Sequence, residues 1–143
     1  MKNFNTYVEN LNKSLQSKLF FVNKINIDEY DIIVDYGCGS GILLQNIATK
    51  VNDKTLLIGF DTSKEMIDYC NNTIRGNFPN KNFYFTSDWE PIEDLLYIHD
   101  KKLIIFSSVL HETPKLEQKN IYNNIMPLFD TIVIRDMHAP LVQ

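Results

Sequence analysis

In the string DYGCGSG, Asp35 leads three alternate glycines, Gly37, Gly39 and Gly41; the apolar run IIV before it reads as a strand and ILLQNIA after it as a helix. Glycines spaced this way at a strand-to-helix turn suit a backbone that approaches a ligand closely, because a Cβ there would stand in the ligand's place. The pattern is GxGxG rather than the GxGxxG of a dinucleotide fingerprint, and a carboxylate two residues before the first glycine would repel a pyrophosphate. It suits a ligand that carries an ammonium group. Twenty residues beyond Gly41, Asp61 closes the run TLLIGF. A carboxylate at the carboxyl end of a strand can accept hydrogen bonds from both hydroxyls of a ribose; the plainer alternative is that Asp61 caps the helix that follows. The run NFYFTSD ends at Asp88 with Trp89 beside it. An acceptor next to a flat ring is what an adenine requires, and the alternative is a loop tip with a buried tryptophan.

Other chemistries lack their residues. The sequence holds no GxxxxGK(S/T) phosphate loop, no GxSxG nucleophile elbow and no HExxH zinc helix. Cys38 lies inside the glycine string without a dedicated base, and reads as a small residue that fits the turn. Cys38 and Cys70 are the only cysteines. With no CxxC pair and no Cys/His cluster at ligand spacing, they argue against a disulfide framework or a zinc site and fit a reducing cytoplasm.

The elements that position these residues follow from the rhythm of the chain. From Asp31 onward, DIIVDY, TLLIGF, NFYFT, KLIIFSS and TIVIRD alternate with helical patterns such as ILLQNIATK, KEMIDYCNNTI, PIEDLLYI and KLEQKNIYNNIM. Near-continuous apolar strands such as IIV, LLI and LIIF should be buried on both faces, which predicts a parallel, doubly wound α/β sheet of about five strands with helices on both faces. Thr62 with Glu65 reads as a capping box, Thr113 with Pro114 as an N-cap followed by proline at the first helical position, and Pro127 as the end of the last long helix. Ahead of the first strand, Phe4, Tyr7 or Val8, Leu11, Leu15, Leu19 and Val22 mark the apolar stripe of an amphipathic helix. Lys2, Lys13, Lys18 and Lys24 make that segment basic. They read either as a solvated outer face or as part of a lid over an anionic ligand. The division is therefore a helical segment over 1–27 and a core over 28–143, within one domain.

Composition agrees with an ordinary globular chain. Of 143 residues, 44% are hydrophobic and 22% charged, enough to bury a core without disulfides or a structural metal. Eighteen acidic against fourteen basic residues leave a charge of −4, which disfavours a protein whose task is to grip a phosphate backbone. No apolar run reaches the length a bilayer span needs, and the opening MKNFNTYVENLNKS has no signal-peptide core, so no membrane partner is expected.

The ordered set IIVDYGCGSG, IGFDTSKEM, FTSDWE, LIIFSSVLHE and IVIRDM resembles the Rossmann-like, or class I, S-adenosylmethionine-dependent methyltransferases, over Leu19 to Met137. The resemblance implies strand order 3-2-1-4-5 and S-adenosyl-L-methionine as the cofactor. Asp35 would hold the methionine ammonium, with Gly37, Cys38, Gly39 and Gly41 wrapping the amino-acid and ribose portions. Asp61 would bind the ribose hydroxyls with Thr62 beside it. Met66 would pack near the adenine, although its helical spacing equally makes it core. Asp88 would meet the adenine amino group next to Trp89, and Ser107 and Ser108 would present oxygens toward the methionine part.

Methyl transfer is chiefly a matter of proximity and orientation, and a base helps if the acceptor is a hydroxyl or a protonated nitrogen. His111, beside Glu112 after the fourth strand, is the candidate base, with the alternative that it only packs in the loop. Asp136 and His138 are weaker candidates. His99 precedes a strand and belongs at the opposite edge. The acceptor, a small molecule or protein rather than nucleic acid, is not identifiable from the residues. Two rival readings are a non-catalytic S-adenosylmethionine-binding module, or partner subunit of a larger methyltransferase, and a nicotinamide oxidoreductase, which the glycine spacing and Asp35 oppose. The family continues with two further strands that this sequence lacks after Asp136. On this reading the chain is a short form or a fragment, and the apolar edge of the fifth strand, Ile132 to Ile134, is shielded by the N-terminal helix or by another subunit or second copy.

Overall fold

The computed structural model describes residues 22, 24–107 and 109–135, with the backbone alone at His111. The expected helix over Phe4 to Leu19, the lysines at 2, 13 and 18, and Ser108, Asp136 and His138 lie outside the described residues.

Five strands form one parallel sheet: β1 (Ile32–Tyr36), β2 (Leu56–Phe60), β3 (Asn82–Thr86), β4 (Lys102–Ser107) and β5 (Thr131–Arg135). Their order is β3-β2-β1-β4-β5, as the resemblance implies. The apolar runs form the three central strands because both of their faces are covered. Ile33, Leu57, Leu103 and Ile105 pack under α1 (Ile42–Ala48) and α2 (Lys64–Asn77), through Leu43, Leu44, Ile47, Cys70 and Ile74. Ile32, Val34, Ile58, Ile104 and Phe106 pack on the other side against Ile92 and Leu96 of α3 (Trp89–Leu96), with Ile121 and Ile125. Each fully buried isoleucine or phenylalanine contributes about 1.5–3 kcal/mol, so these two layers hold the strand ends in fixed positions. At the sheet edge, β5 alternates, and Ile132 and Ile134 stand 39% and 50% exposed. No helix among the described residues is long and apolar enough to cross a membrane.

Three local expectations shift. Ser63 rather than Thr62 caps α2, its hydroxyl accepting from the Met66 N–H at 3.3 Å. The reason is that Asp61 Oδ1 already accepts the Ser63 N–H at 2.9 Å, a turn that delays the helix by one residue. Thr113 is likewise not the cap of α4 (Lys115–Asn120): its hydroxyl donates to Val109 O at 2.9 Å, and Pro114 takes the cap position. The pattern KLEQKNIYNNIM does not form one α-helix either. After α4 the backbone widens into a π turn over Ile121–Ile125 and tightens into a 3-10 turn over Met126–Leu128 that contains Pro127. Ile121 and Ile125, four residues apart, both face the core, as they would in a regular α-helix.

Candidate functional site at the carboxyl edge of the sheet

The chain leaves β1 through the glycine turn, where Gly37, Gly39 and Gly41 adopt φ of 85°, 53° and 79°, the left-handed region that other residues avoid. Gly37 and Cys38 both donate backbone N–H bonds to Phe60 O, at 2.7 and 2.9 Å, which ties the turn to the end of β2. A Cβ on Gly37 would meet Val109 Cγ2 at 2.5 Å, and one on Gly41 would meet Cys70 Sγ at 2.9 Å. At these two positions the protein's own packing, and not only a ligand, excludes a side chain. Gly59, inside β2, is a further one: its Cβ would strike Phe85 at 2.6 Å and Cys38 Sγ at 2.9 Å. A glycine within a buried strand is itself a signal of close approach, and sequence reasoning passed over it.

Asp61 follows β2 and does two things at once. Its Oδ2 accepts the Gly39 N–H at 2.9 Å while its Oδ1 accepts the Ser63 N–H at 2.9 Å. The carboxylate thus braces the glycine turn and starts α2. Each oxygen keeps a lone-pair direction for another donor. Asp35, 3% exposed, lies on the sheet face shared with Gly59 and Ile105, its register partners. Ser107, two residues beyond Ile105, falls on the same face; it is buried and its hydroxyl has no hydrogen-bond partner. Cys38 and Cys70 are buried thiols that both contact Gly39 O, at 3.9 and 3.3 Å. A hydrogen bond with Cys70, then burial, then the carboxylates of Asp35 and Asp61 push the Cys38 thiol well above its ordinary range. Cys38 stays protonated and is no nucleophile at neutral pH.

At the third strand end, Asp88 is exposed and its N–H donates to Thr86 Oγ1 at 3.0 Å. The Trp89 ring packs against Phe60 at 5.6 Å, Tyr36 at 5.8 Å and Phe129 at 6.5 Å. Its indole nitrogen and the Ser87 hydroxyl are buried without partners. An open depression of about 520 Å³ is lined by Asp88, Trp89, Glu90, Pro91 and Asp94. Met66 is buried at 2% exposure and Thr62 is exposed.

After β4 comes a 3-10 turn, Leu110–Glu112, which brings the backbone of His111 to this edge; its side chain lies outside the described residues. Glu112 and Thr113 close the turn by donating to Val109 O at 3.0 Å and Leu110 O at 3.1 Å. Tyr36, at the end of β1, has its phenol pushed above the usual range by burial and then by the Glu117 carboxylate, so it remains a donor. His99 is at the opposite edge, its Nδ1 2.7 Å from Leu95 O.

Comparison with known proteins adds to this geometry. The model of a family described as a methyltransferase domain matches residues 27–136. Among solved structures, the bifunctional kinase-methyltransferase WbdD aligns with a TM-score of 0.54 at 17% identity, over 93% of this chain and 29% of that one. Residues 942–1257 of StiE O-MT align with a TM-score of 0.53 at 18% identity, over 72% of this chain and 36% of that one. At such identities the likeness is one of fold, and this chain spans a minor part of either neighbour. No curated protein is significantly similar in sequence.

Proposed function

The chain belongs to the methyltransferase-domain family, and on that footing we propose that it binds S-adenosyl-L-methionine across the carboxyl ends of β1 to β4 and transfers the methyl group to a small-molecule or protein acceptor. The observation that carries the reading is the collection of unpartnered buried polar atoms at this one edge: Ser87 Oγ, Trp89 Nε1 and Ser107 Oγ. A further such atom, Asn71 Oδ1, is on α2. A buried polar atom without a partner costs roughly 1–3 kcal/mol, and a polar ligand at the edge would remove that cost. The residues present fit the cofactor: a buried carboxylate for an ammonium, a braced glycine turn, a second carboxylate with free lone pairs, and an exposed third.

When bound, the cofactor supplies a sulfonium-activated methyl carbon whose leaving thioether needs no proton. The chain's residues do the rest by placement. Asp35 holds the methionine ammonium. Gly37, Cys38, Gly39 and Gly41 bring main chain alongside the amino-acid and ribose portions, in a shape kept by Phe60 O and Asp61. Asp61 offers its remaining lone pairs to the ribose hydroxyls, with Thr62 beside it, Met66 packing near the adenine and Asp88 accepting from the adenine amino group. The Trp89 ring is packed tilted against Tyr36 and at right angles to Phe60, and its unpartnered indole N–H is the group it offers. Ser107 presents its hydroxyl to the methionine part, and His111 takes a proton from a hydroxyl or ammonium acceptor. Two reduced thiols and a charge of −4 favour a cytoplasmic enzyme whose acceptor is not nucleic acid.

The test is calorimetry with S-adenosylhomocysteine and NAD side by side, followed by transfer of labelled methyl into cell extract. Binding of the first alone, with label passing into a defined fraction, is expected. Binding without transfer to any fraction would favour the non-catalytic module, and binding of NAD alone would overturn the cofactor assignment.

A further inference from the structure

Gln118 stands out on α4 because that helix has no buried residue, and neighbouring Leu116 is 82% exposed. A glutamine on a polar surface helix is ordinarily solvated. This one is half-buried and turns its carboxamide inward. Nε2 donates to Leu110 O at 2.7 Å and to Thr113 O at 2.9 Å, which uses both of its hydrogens. Those two carbonyls bracket the turn that follows β4. The same turn begins at Val109, whose methyl occupies the space a Cβ on Gly37 would need. A connected path therefore runs from the carboxamide through the turn to the first residue of the glycine turn, the part of the site that must hold its shape for a ligand.

We propose that Gln118 is a positioning residue: its carboxamide clamps the Val109–Thr113 turn and, through Val109 seated on Gly37, keeps the glycine turn in its ligand-binding form. The inference rests on the reading of this edge as the cofactor site. It assigns a role in cofactor affinity to a residue whose hydrogen bonds, among the described residues, go to backbone carbonyls. The requirement is for two donated hydrogens and not for bulk, so donor-bearing and donor-free replacements separate the clamp from mere space-filling.

The full chain is titrated with S-adenosylhomocysteine by calorimetry, well below the unfolding temperature, as wild type, Gln118→Met, Gln118→Glu and Gln118→Lys. Loss of two hydrogen bonds from the clamp is expected to weaken binding roughly tenfold in the methionine and glutamate variants. Lysine restores donors at similar reach, as Lys81 Nζ does toward Val51 O at 2.7 Å, and should stay within about threefold of wild type. Methionine serves as the uncharged control, and the ligand lacks the sulfonium charge, so a charge effect does not mimic the result. Backbone amide exchange at Glu112 and Thr113 should accelerate in the methionine variant, while Ile33 and Ile104 keep their protection. Wild-type affinity in the methionine and glutamate variants, or retention by glutamate with loss by lysine, overturns the proposal. So do unchanged exchange rates at Glu112 and Thr113. If the wild type itself does not bind, the cofactor reading fails first and takes the clamp's role with it.

Discussion

Replacing Asp61 by alanine tests whether one carboxylate both shapes the site and reads its ligand. In the free protein the change strands two backbone donors, Gly39 N–H and Ser63 N–H, each bonded at 2.9 Å. Hydrogen bonds to a charged group are worth about 1.5–3 kcal/mol each. The carboxylate is part-exposed and water replaces some of what is lost, so the expected destabilisation is about 2–4 kcal/mol. For a chain of this length that is a fall in Tm of roughly 6–15 °C, read by circular dichroism without ligand. Asp61→Asn is the sharper variant. One of its two terminal atoms still accepts, but the other becomes an NH₂ facing an N–H donor, so one bond survives and the other becomes a repulsion. It should fall between wild type and alanine in stability, and still bind S-adenosylhomocysteine at least tenfold more weakly than wild type. An alanine variant that unfolds within 2 °C of wild type would refute the bracing argument. One that is destabilised as expected but binds the ligand normally would refute the ribose assignment alone.

Further expectations follow from the same packing. Gly37→Ala should cost at least about 2 kcal/mol, from the left-handed backbone and the contact with Val109. In urea denaturation, Gly37→Ala combined with Val109→Ala should recover about 1 kcal/mol or more of that, and strictly additive losses would contradict the contact. Because the Cys38 thiol is pushed above its ordinary range in the fold, its contribution to stability is fully present below the unfolded value of about 8.5 and is lost as pH rises through the folded one. Wild type should therefore lose stability above about pH 8.5 more steeply than Cys38→Ala, and parallel curves would count against the burial argument. Trp89 is the single tryptophan and lies beside Asp88, so S-adenosylhomocysteine should change its fluorescence with the same dissociation constant that calorimetry gives. No change at saturation would remove Trp89 from the site.

The sheet was legible because its signal is local and repeated. Short β-branched runs such as IIV, LLI and LIIF, alternating with helical patterns, read as strands buried on both faces, and the strand ends, with that of NFYFT, place Asp35, Asp61, Asp88 and Ser107 at one edge. Helix starts were less legible by one residue. Thr62 and Thr113 have the right side chains for caps, but which oxygen wins depends on Asp61 and Val109, groups whose positions the full fold determines. The last helix read as one run because the apolar spacing in KLEQKNIYNNIM is compatible with a continuous helix, and residues four apart such as Ile121 and Ile125 share a face whether or not the backbone widens into the π turn. Spacing located Asp61 but not its two backbone partners, one of which, Gly39, is 22 residues away. Gln118 carried no signal at all, since its partners are carbonyl oxygens, which every residue has.

Strand order also sets the timing of folding. β1 pairs with β2, which follows it closely, but its other neighbour, β4, comes about 70 residues later in the chain. At synthesis rates of roughly 5–20 residues per second, one side of the central strand waits several seconds with its backbone groups unpaired. Val109 and Gln118 emerge later still. A nascent chain can therefore assemble β1, β2 and β3 without a finished glycine turn, and ligand-binding competence arrives only once the segment after β4 has docked. Long-range closure of this kind slows folding, and it places the interval of greatest exposure to misassociation before the site can be stabilised by anything it binds.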